Sequence, residues 1–280
     1  MNNIGIMINA GKDTNFLEKF QQAKELGMQS CQISNYDPAL YTDEKAAEIR
    51  KALEKTDFKI SAFWAGWSGP KIWNFTDGPS TIGIVPPAYR GHRIKELEMA
   101  SEFAEKIGVT DIATHVGFIP ENPDSTLFAE TVSALKHIAK VFKKRGQNFL
   151  FETGQETPVT MLRTITAVGS DNLFINFDTA NLILYGKANT LDALDVFGKY
   201  VRNVHIKDGL YPTDGMELGA ETAVGKGKAN IPAVVAKLAE LGYTGPYTIE
   251  REIQEGEEKN NDIIASRDLL IQIMTDLENK

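Results

Sequence analysis

The chain alternates between two hydrophobic periods from end to end, and this limits its fold more than any single residue does. Short apolar, β-rich runs occupy 4–8, 28–34, 59–64, 111–115, 148–152, 173–178, 201–207 and 246–250. Several, such as FLFE, LFINFD and YTIE, are nearly continuous in apolar character, the pattern of strands covered on both faces. Helical stripes lie between them. Phe128, Val132, Leu135, Ile138 and Phe142 recur at spacings of three and four, one face of a 3.6-residue helix. Thr157-Pro158 reads as an N-cap with its first helical residue, and Gly169 as the stop. Pro232 opens a helix carrying Val235, Leu238 and Leu241, while Ile263, Leu270, Ile273 and Leu277 stripe the last one. Eight strand–helix repeats in 280 residues suit an α/β fold of the (β/α)8 TIM-barrel type, which typically takes ~250 residues. A doubly wound open sheet is the alternative. No linker, low-complexity tract or short-period repeat divides the chain, so residues 1–280 are read as a single domain.

Composition removes several classes of function. Thirty Lys and Arg against 38 Asp and Glu give a net charge of −8, which argues against a nucleic-acid partner. No apolar run approaches the ~20 residues of a membrane span. The opening MNNIGIMINAGKD lacks the basic and apolar segments of a signal peptide. Cys31 is the only cysteine, so no intrachain disulfide forms, and a reducing cytoplasm is the expected location. On its strand, Cys31 reads as packing. The expected partner is a small molecule, and a homo-oligomer is left open.

The informative residues are ionisable and sit at strand ends: His115, Glu152, Asp178, His205 and Glu250. In a parallel barrel these ends open at one rim, where barrel active sites lie. Three carboxylates crowded there would repel one another without a cation. Carboxylates with one imidazole suit one divalent ion of the Mn2+, Mg2+, Co2+ or Zn2+ kind, and no organic cofactor is expected. Two connections, 65–90 and 208–229, exceed the usual two to six residues. The first carries Trp67, Trp73 and Phe75, and it reads as a shaped wall or lid over the site. Gly225-Lys226-Gly227-Lys228 could hold a phosphate on its backbone N–H groups, but it is read as a turn that sterics require. His92 and His137 are read as surface residues.

The strings FETGQE, NFDTAN, VHIKD and VGKGKANIPAVVAKLAELGYTGPYTIE resemble the sugar phosphate isomerase/epimerase superfamily, the xylose isomerase-like barrels. That group includes ketose 3-epimerases, an inositol-catabolic isomerase and dehydratase, and endonuclease IV. The resemblance covers essentially the whole chain and is strongest over 111–252. By position it implies one metal ion held by Glu152, Asp178, His205 and Glu250, a substrate-side His115, and Trp64 in an aromatic wall position. Trp67, Glu156, Asn181, Lys207 and Arg251 are further candidates for substrate contact. The chain departs from its relatives in places. Asn181 stands where epimerases of the group carry a second His, Tyr211 where ketose epimerases carry an Arg, and Pro158 where their second carboxylate falls. Four histidines and the negative charge separate it from a trinuclear zinc nuclease, and a single ligand set separates it from a two-metal hydride-transfer isomerase.

The chemistry so implied is proton abstraction α to the carbonyl of a keto sugar or related polyol ketone. Glu152 and Glu250 would take and return the proton, giving isomerisation or epimerisation. Expulsion of a leaving group β to the carbonyl would instead make a lyase or dehydratase acting on a keto sugar, keto-glycoside or inosose. A metal- and sugar-binding barrel without turnover is the alternative from another class.

Overall fold

In the computed structural model, which describes residues 3–279, the eight apolar runs form the parallel strands of one closed barrel. They are β1 (Ile4–Asn9), β2 (Ser30–Asn35), β3 (Lys59–Ala65), β4 (Asp111–Thr114), β5 (Asn148–Glu152), β6 (Leu173–Asp178) and β7 (Val201–Ile206). A two-residue antiparallel ribbon follows, β8 (Asp208–Gly209) with β9 (Glu221–Thr222), and β10 (Tyr247–Ile249) then closes the barrel between β7 and β1. The ribbon lies inside the second long connection and was not expected. His115 and Glu250 each fall one residue beyond their strand rather than on its last residue.

Strand β5 shows how the pattern becomes architecture. Phe149 and Phe151 face the helical layer, where Phe149 meets Phe142 of helix Thr126–Lys144 at 5.1 Å between ring centroids. Leu150 belongs to a separate cluster with Trp64, Trp67, Ile82 and Ala113. The stripe from Phe128 to Phe142 is buried throughout, as its spacing requires. Thr157 caps helix Pro158–Val168 by accepting from Thr160 N, and Gly169 ends it in the left-handed region at φ 65°. Leu241 departs from expectation. It follows the last residue of helix Ile231–Glu240 and is exposed, because the chain has already left the face that buries Val235 and Leu238.

The barrel ladder has two described irregularities, one between Cys31 and Gln32 on β2 and one between Ile175 and Asn176 on β6. In each, the partner strand carries one extra residue: Ser61 on β3 and Arg202 on β7. Such insertions re-aim the side chains that follow them. The second one sets His205 directly opposite Asp178. Among the described residues no helix is long and apolar enough to cross a membrane.

Candidate active site and metal centre

Four strands deliver the proposed ligands to one point. Glu152 ends β5, Asp178 ends β6, His205 lies on β7, and Glu250 follows β10 with its backbone N–H on Ile206 O at 3.1 Å. One ligand atom from each lies within 4.8 Å of the others. His205 Nδ1 is 3.3 Å from Glu152 Oε1, 3.3 Å from Glu250 Oε2 and 4.0 Å from Asp178 Oδ2. Neither His205 Nδ1 nor Asp178 Oδ2 has a hydrogen-bond partner, though both are buried. Buried polar atoms without partners are costly, and a divalent cation would satisfy both. Three carboxylate oxygens and one imidazole nitrogen, converging on one point, fit such an ion.

The fixed ends of these side chains leave their other atoms free. Asp178 Oδ1 accepts from Ala180 N and Asn181 N, both at 2.7 Å, which turns Oδ2 toward His205. Glu152 Oε2 accepts from the Trp64 indole N–H and from Asn176 Nδ2. Trp64 is therefore more than an apolar wall, since its polar edge also orients the Glu152 carboxylate. Lys207 lies 3.3 Å from Glu250 Oε2 and 3.8 Å from Asp178 Oδ2, and it pairs with Glu252.

The charges shift one another. Burial works against a charged His205, but Glu152 and Glu250 outweigh it and hold its pKa well above the usual imidazole value. Burial likewise opposes ionisation of Glu250, and Lys207 and His205 overcome it, so Glu250 lies well below the ordinary carboxylate range. Asp178 goes the other way. Its burial dominates despite Lys207, and its pKa is raised. His115, deeply buried, is pushed down, with Glu152 opposing the shift.

A cavity of about 330 Å³ opens onto this set. Of the candidates read from sequence, Trp64, His115, Asn181, Lys207, Glu152 and Glu250 line it. Asp178 and His205 of the ligand cluster are not in its lining, and neither are three substrate candidates. Trp67 is buried behind the wall, packed on Trp64 at 6.2 Å and Trp73 at 6.3 Å, and Trp73 takes the cavity-lining position expected of it. Glu156 is buried outside the lining, with neither carboxylate oxygen hydrogen-bonded. Arg251 turns to Glu221 and Asp262, at 2.8 Å from each. Gln155, Tyr36 and Tyr185 line the cavity and were not singled out from sequence. Gln155 sits inside the FETGQE string, so it could have been found; Tyr185 arrives from a short helix after β6 with no local signal.

The two long connections do different work. The first is pinned by Arg93, whose guanidinium donates to Thr81 O at 2.7 Å, Gly83 O at 2.6 Å and Pro70 O at 2.7 Å while covering the Trp67 ring. In the second, the Asp208 carboxylate accepts from the backbone N–H groups of Gly225, Gly227 and Ala229, each at 2.9 Å. Those donors are thus used internally, and a Cβ on Gly227 would stand 2.1 Å from Asp208 Oδ1. The Gly-Lys-Gly-Lys segment is a required turn, as read from the sequence.

Residues 20–273 match the family described as the xylose isomerase-like TIM barrel. The chain belongs to that family. A crystal structure of a xylose isomerase domain protein from Planctomyces limnophilus is 31% identical, with a TM-score of 0.92 and both chains covered in full. Among curated proteins, an uncharacterised protein of Methanocaldococcus jannaschii is 26% identical over 194 residues, and the match spans 64% of each chain. An inosose dehydratase of Lacticaseibacillus casei is 21% identical over 276 residues, covering 88% of this chain and 85% of the relative. At lower identity the likeness is one of fold. A D-allulose 3-epimerase from Methylomonas sp., solved with D-allulose, is 16% identical at a TM-score of 0.72, covering 97% of this chain and 98% of the other. A xylose isomerase-like TIM barrel protein from Mycobacterium smegmatis, solved with magnesium, is 18% identical at 0.72, covering 99% and 97%.

Proposed function

We propose that the protein is a divalent-metal-dependent sugar isomerase or epimerase. It would move a proton at the carbon α to the carbonyl of a keto sugar or related polyol ketone. The observation that carries this reading is the shared position of Glu152 and Glu250: both line the 330 Å³ cavity and both belong to the four-residue ligand cluster. A divalent ion held by Glu152, Asp178, His205 and Glu250 would polarise the carbonyl and acidify the neighbouring C–H. Mn2+, Mg2+, Co2+ and Zn2+ all suit this donor set, and the magnesium complex of a barrel with the same fold agrees with it.

The chain's own residues supply the rest. Lys207 keeps Glu250 ionised and 14% of the Glu250 side chain is exposed at the cavity, so it can take the proton. It is a weak base, and acidification of the C–H must supply the rate. Glu152, held through Oε2 by Trp64 and Asn176, would take a proton from water in the cavity and pass it to the carbon, while Glu250 releases its own to water. Trp64 and Trp73 offer aromatic faces to sugar C–H groups, while Asn181, His115 and Gln155 read hydroxyls. His115 Nδ1 and both polar atoms of Gln155 have no protein partner and are free to do so. A small-molecule partner, a single domain over residues 1–280 and a reducing cytoplasm complete the reading, on the acidic charge and the lone buried Cys31.

One observation favours a second reading. The inosose dehydratase relative aligns over most of this chain, and the chain lacks three epimerase features at Asn181, Tyr211 and Pro158. Tyr211 is largely exposed and donates to Gly186 O at 2.7 Å, away from the cavity. Loss of a β leaving group from the same α-carbanion would make the protein a lyase.

The test is turnover of a keto-sugar and inosose panel in deuterated water, followed by NMR. Deuterium appearing at the α carbon of an isomerised product supports the first reading, and loss of water or an aglycone supports the second. Glu152→Gln and Glu250→Gln should each lower turnover by roughly 10²–10⁴-fold, with metal affinity measured alongside. A double variant that keeps near-normal turnover with metal bound would defeat both readings. Metal binding without turnover on any substrate would leave a binding barrel.

A further inference from the structure

Beneath the ligand cluster, inside the barrel, lie two fully buried amides, Gln32 of β2 and Asn176 of β6. They form a chain. His205 Nε2 is 2.9 Å from Gln32 Oε1, Gln32 Nε2 donates to Asn176 Oδ1 at 3.0 Å, and Asn176 Nδ2 reaches Glu152 Oε2 at 3.4 Å. The direction of this chain follows from its far end. As a metal ligand Glu152 is a carboxylate and can only accept. Asn176 must therefore present its NH2 to Glu152 and its oxygen to Gln32. Gln32 must then present its NH2 to Asn176 and its oxygen to His205. An oxygen facing Nε2 requires a proton on Nε2. With the ion bound, the lone pair is then on Nδ1, the atom that faces the three carboxylates and has no partner.

A second observation concerns the backbone. The two described irregularities of the barrel ladder fall immediately before Gln32 and Asn176. Each extra residue on the neighbouring strand shifts the pairing, so that Gln32 sits opposite Ala62 and Asn176 opposite Asn203. Bulges next to active sites commonly re-aim a side chain. Here the extra residues lie on β3 and β7, the strands facing the two amides, and the one on β7, Arg202, stands shortly before His205, the residue the amides hold.

We propose that Gln32 and Asn176 are positioning residues that fix His205 as the Nε2–H tautomer and aim its Nδ1 lone pair at the metal site. This rests on the reading of Glu152, Asp178, His205 and Glu250 as a metal centre. The simpler account, in which two amides merely satisfy each other inside the barrel, makes no demand on the histidine proton.

The experiment uses the full chain loaded with Zn2+, which is diamagnetic, and reads both the His205 ring nitrogens by NMR and the Zn2+ Kd by calorimetry. In the wild-type protein the Nε2 proton should be visible and slow to exchange, with Nδ1 bound to the ion. Gln32→Met, similar in volume but with no strong acceptor, should weaken Zn2+ binding about 10- to 100-fold and expose the Nε2 proton to exchange. Gln32→Glu keeps an acceptor for Nε2 but loses the donor to Asn176 Oδ1, so it should restore protection of the Nε2 proton and recover the affinity only in part. A wild-type spectrum with Nε2 on the metal and the proton on Nδ1 would overturn the proposal without any variant. A folded Gln32→Met protein with unchanged Kd and unchanged proton exchange would overturn the relay alone. Wild-type protein that binds neither Zn2+ nor Mn2+ would remove the metal centre, and this inference with it.

Discussion

The barrel holds a polar cluster at each end, and the two differ in how well they are satisfied. At the N-terminal end of the strands, Asp111 accepts from Arg202 Nε at 2.8 and 2.9 Å, from Asn148 Nδ2 at 2.7 Å and from Asn203 Nδ2 at 3.1 Å. At the C-terminal end, Asp178 and His205 each keep a buried atom with no partner. The Asp111 carboxylate is thus fully paired below, where only Asn203 Oδ1 lacks a partner, while the carboxylate and imidazole atoms above stay open. A carboxylate whose donors come from its own fold adds to stability. Three carboxylates that face one another around a single imidazole cost stability until a cation joins them.

The largest effect that would test this contrast is on metal linkage. Wild-type protein with Mn2+ at 100 times its Kd should gain about 2.7 kcal/mol of stability. Asp178→Asn should lose most of that gain. Without metal, the same variant should melt above wild type, because it removes a buried acid whose pKa burial has raised. Thermal melts with and without the ion read both effects, and a lower metal-free Tm for Asp178→Asn would erase the distinction between the two ends. A smaller effect belongs to the Asp111 cluster. Asp111→Ala strands the donors of Asn148 and Asn203 and part of Arg202. The Arg202 side chain is 42% exposed, so water recovers some of its charge, leaving a loss of roughly 2 kcal/mol in urea unfolding. Metal affinity should not move.

A third effect, spread over pH, concerns Glu156, a buried carboxylate outside the four-residue cluster. Burial raises its pKa from 4.5 to about 8. Between those values the folded protein binds a proton that the unfolded chain has released, so stability falls as pH rises through that window. Glu156→Gln should therefore match wild type near the bottom of the window and melt a few degrees higher at its top. Stability curves that run parallel across the window would mean that Glu156 is not held neutral. Glu156 lacks partners yet has no converging ligands, so an unsatisfied carboxylate alone does not make a metal site.

Much of this was legible before any coordinates. The near-continuous apolar runs identify strands covered on both faces, and their bounds in the structure agree within two residues. Glu152, Asp178, His205 and Glu250 stand at consecutive strand ends, which in a parallel barrel must share a rim. The errors came where a residue's role depends on the path of a long connection. Trp67 and Trp73 are six residues apart in one aromatic segment, and nothing local says which of them faces the cavity. Arg93 decides it, by drawing the carbonyls of Thr81, Gly83 and Pro70 around itself and covering Trp67. Arg251 follows a candidate ligand directly, yet Glu221 and Asp262, remote in sequence, take its guanidinium.

The sequence by itself determined the order of strands and helices, the rim on which the ionisable residues gather, and the donor types they bring, because hydrophobic period and strand polarity are local properties. Only the tertiary structure decided which atoms of those residues stay free. The indole N–H of Trp64 holds Glu152, the backbone of Ala180 and Asn181 holds one oxygen of Asp178, and Gln32 faces Nε2 of His205. Each of these contacts but the Asp178 cap joins strands far apart in the chain. Hydrogen-bond direction is set by the partner across the barrel, which no stretch of sequence contains.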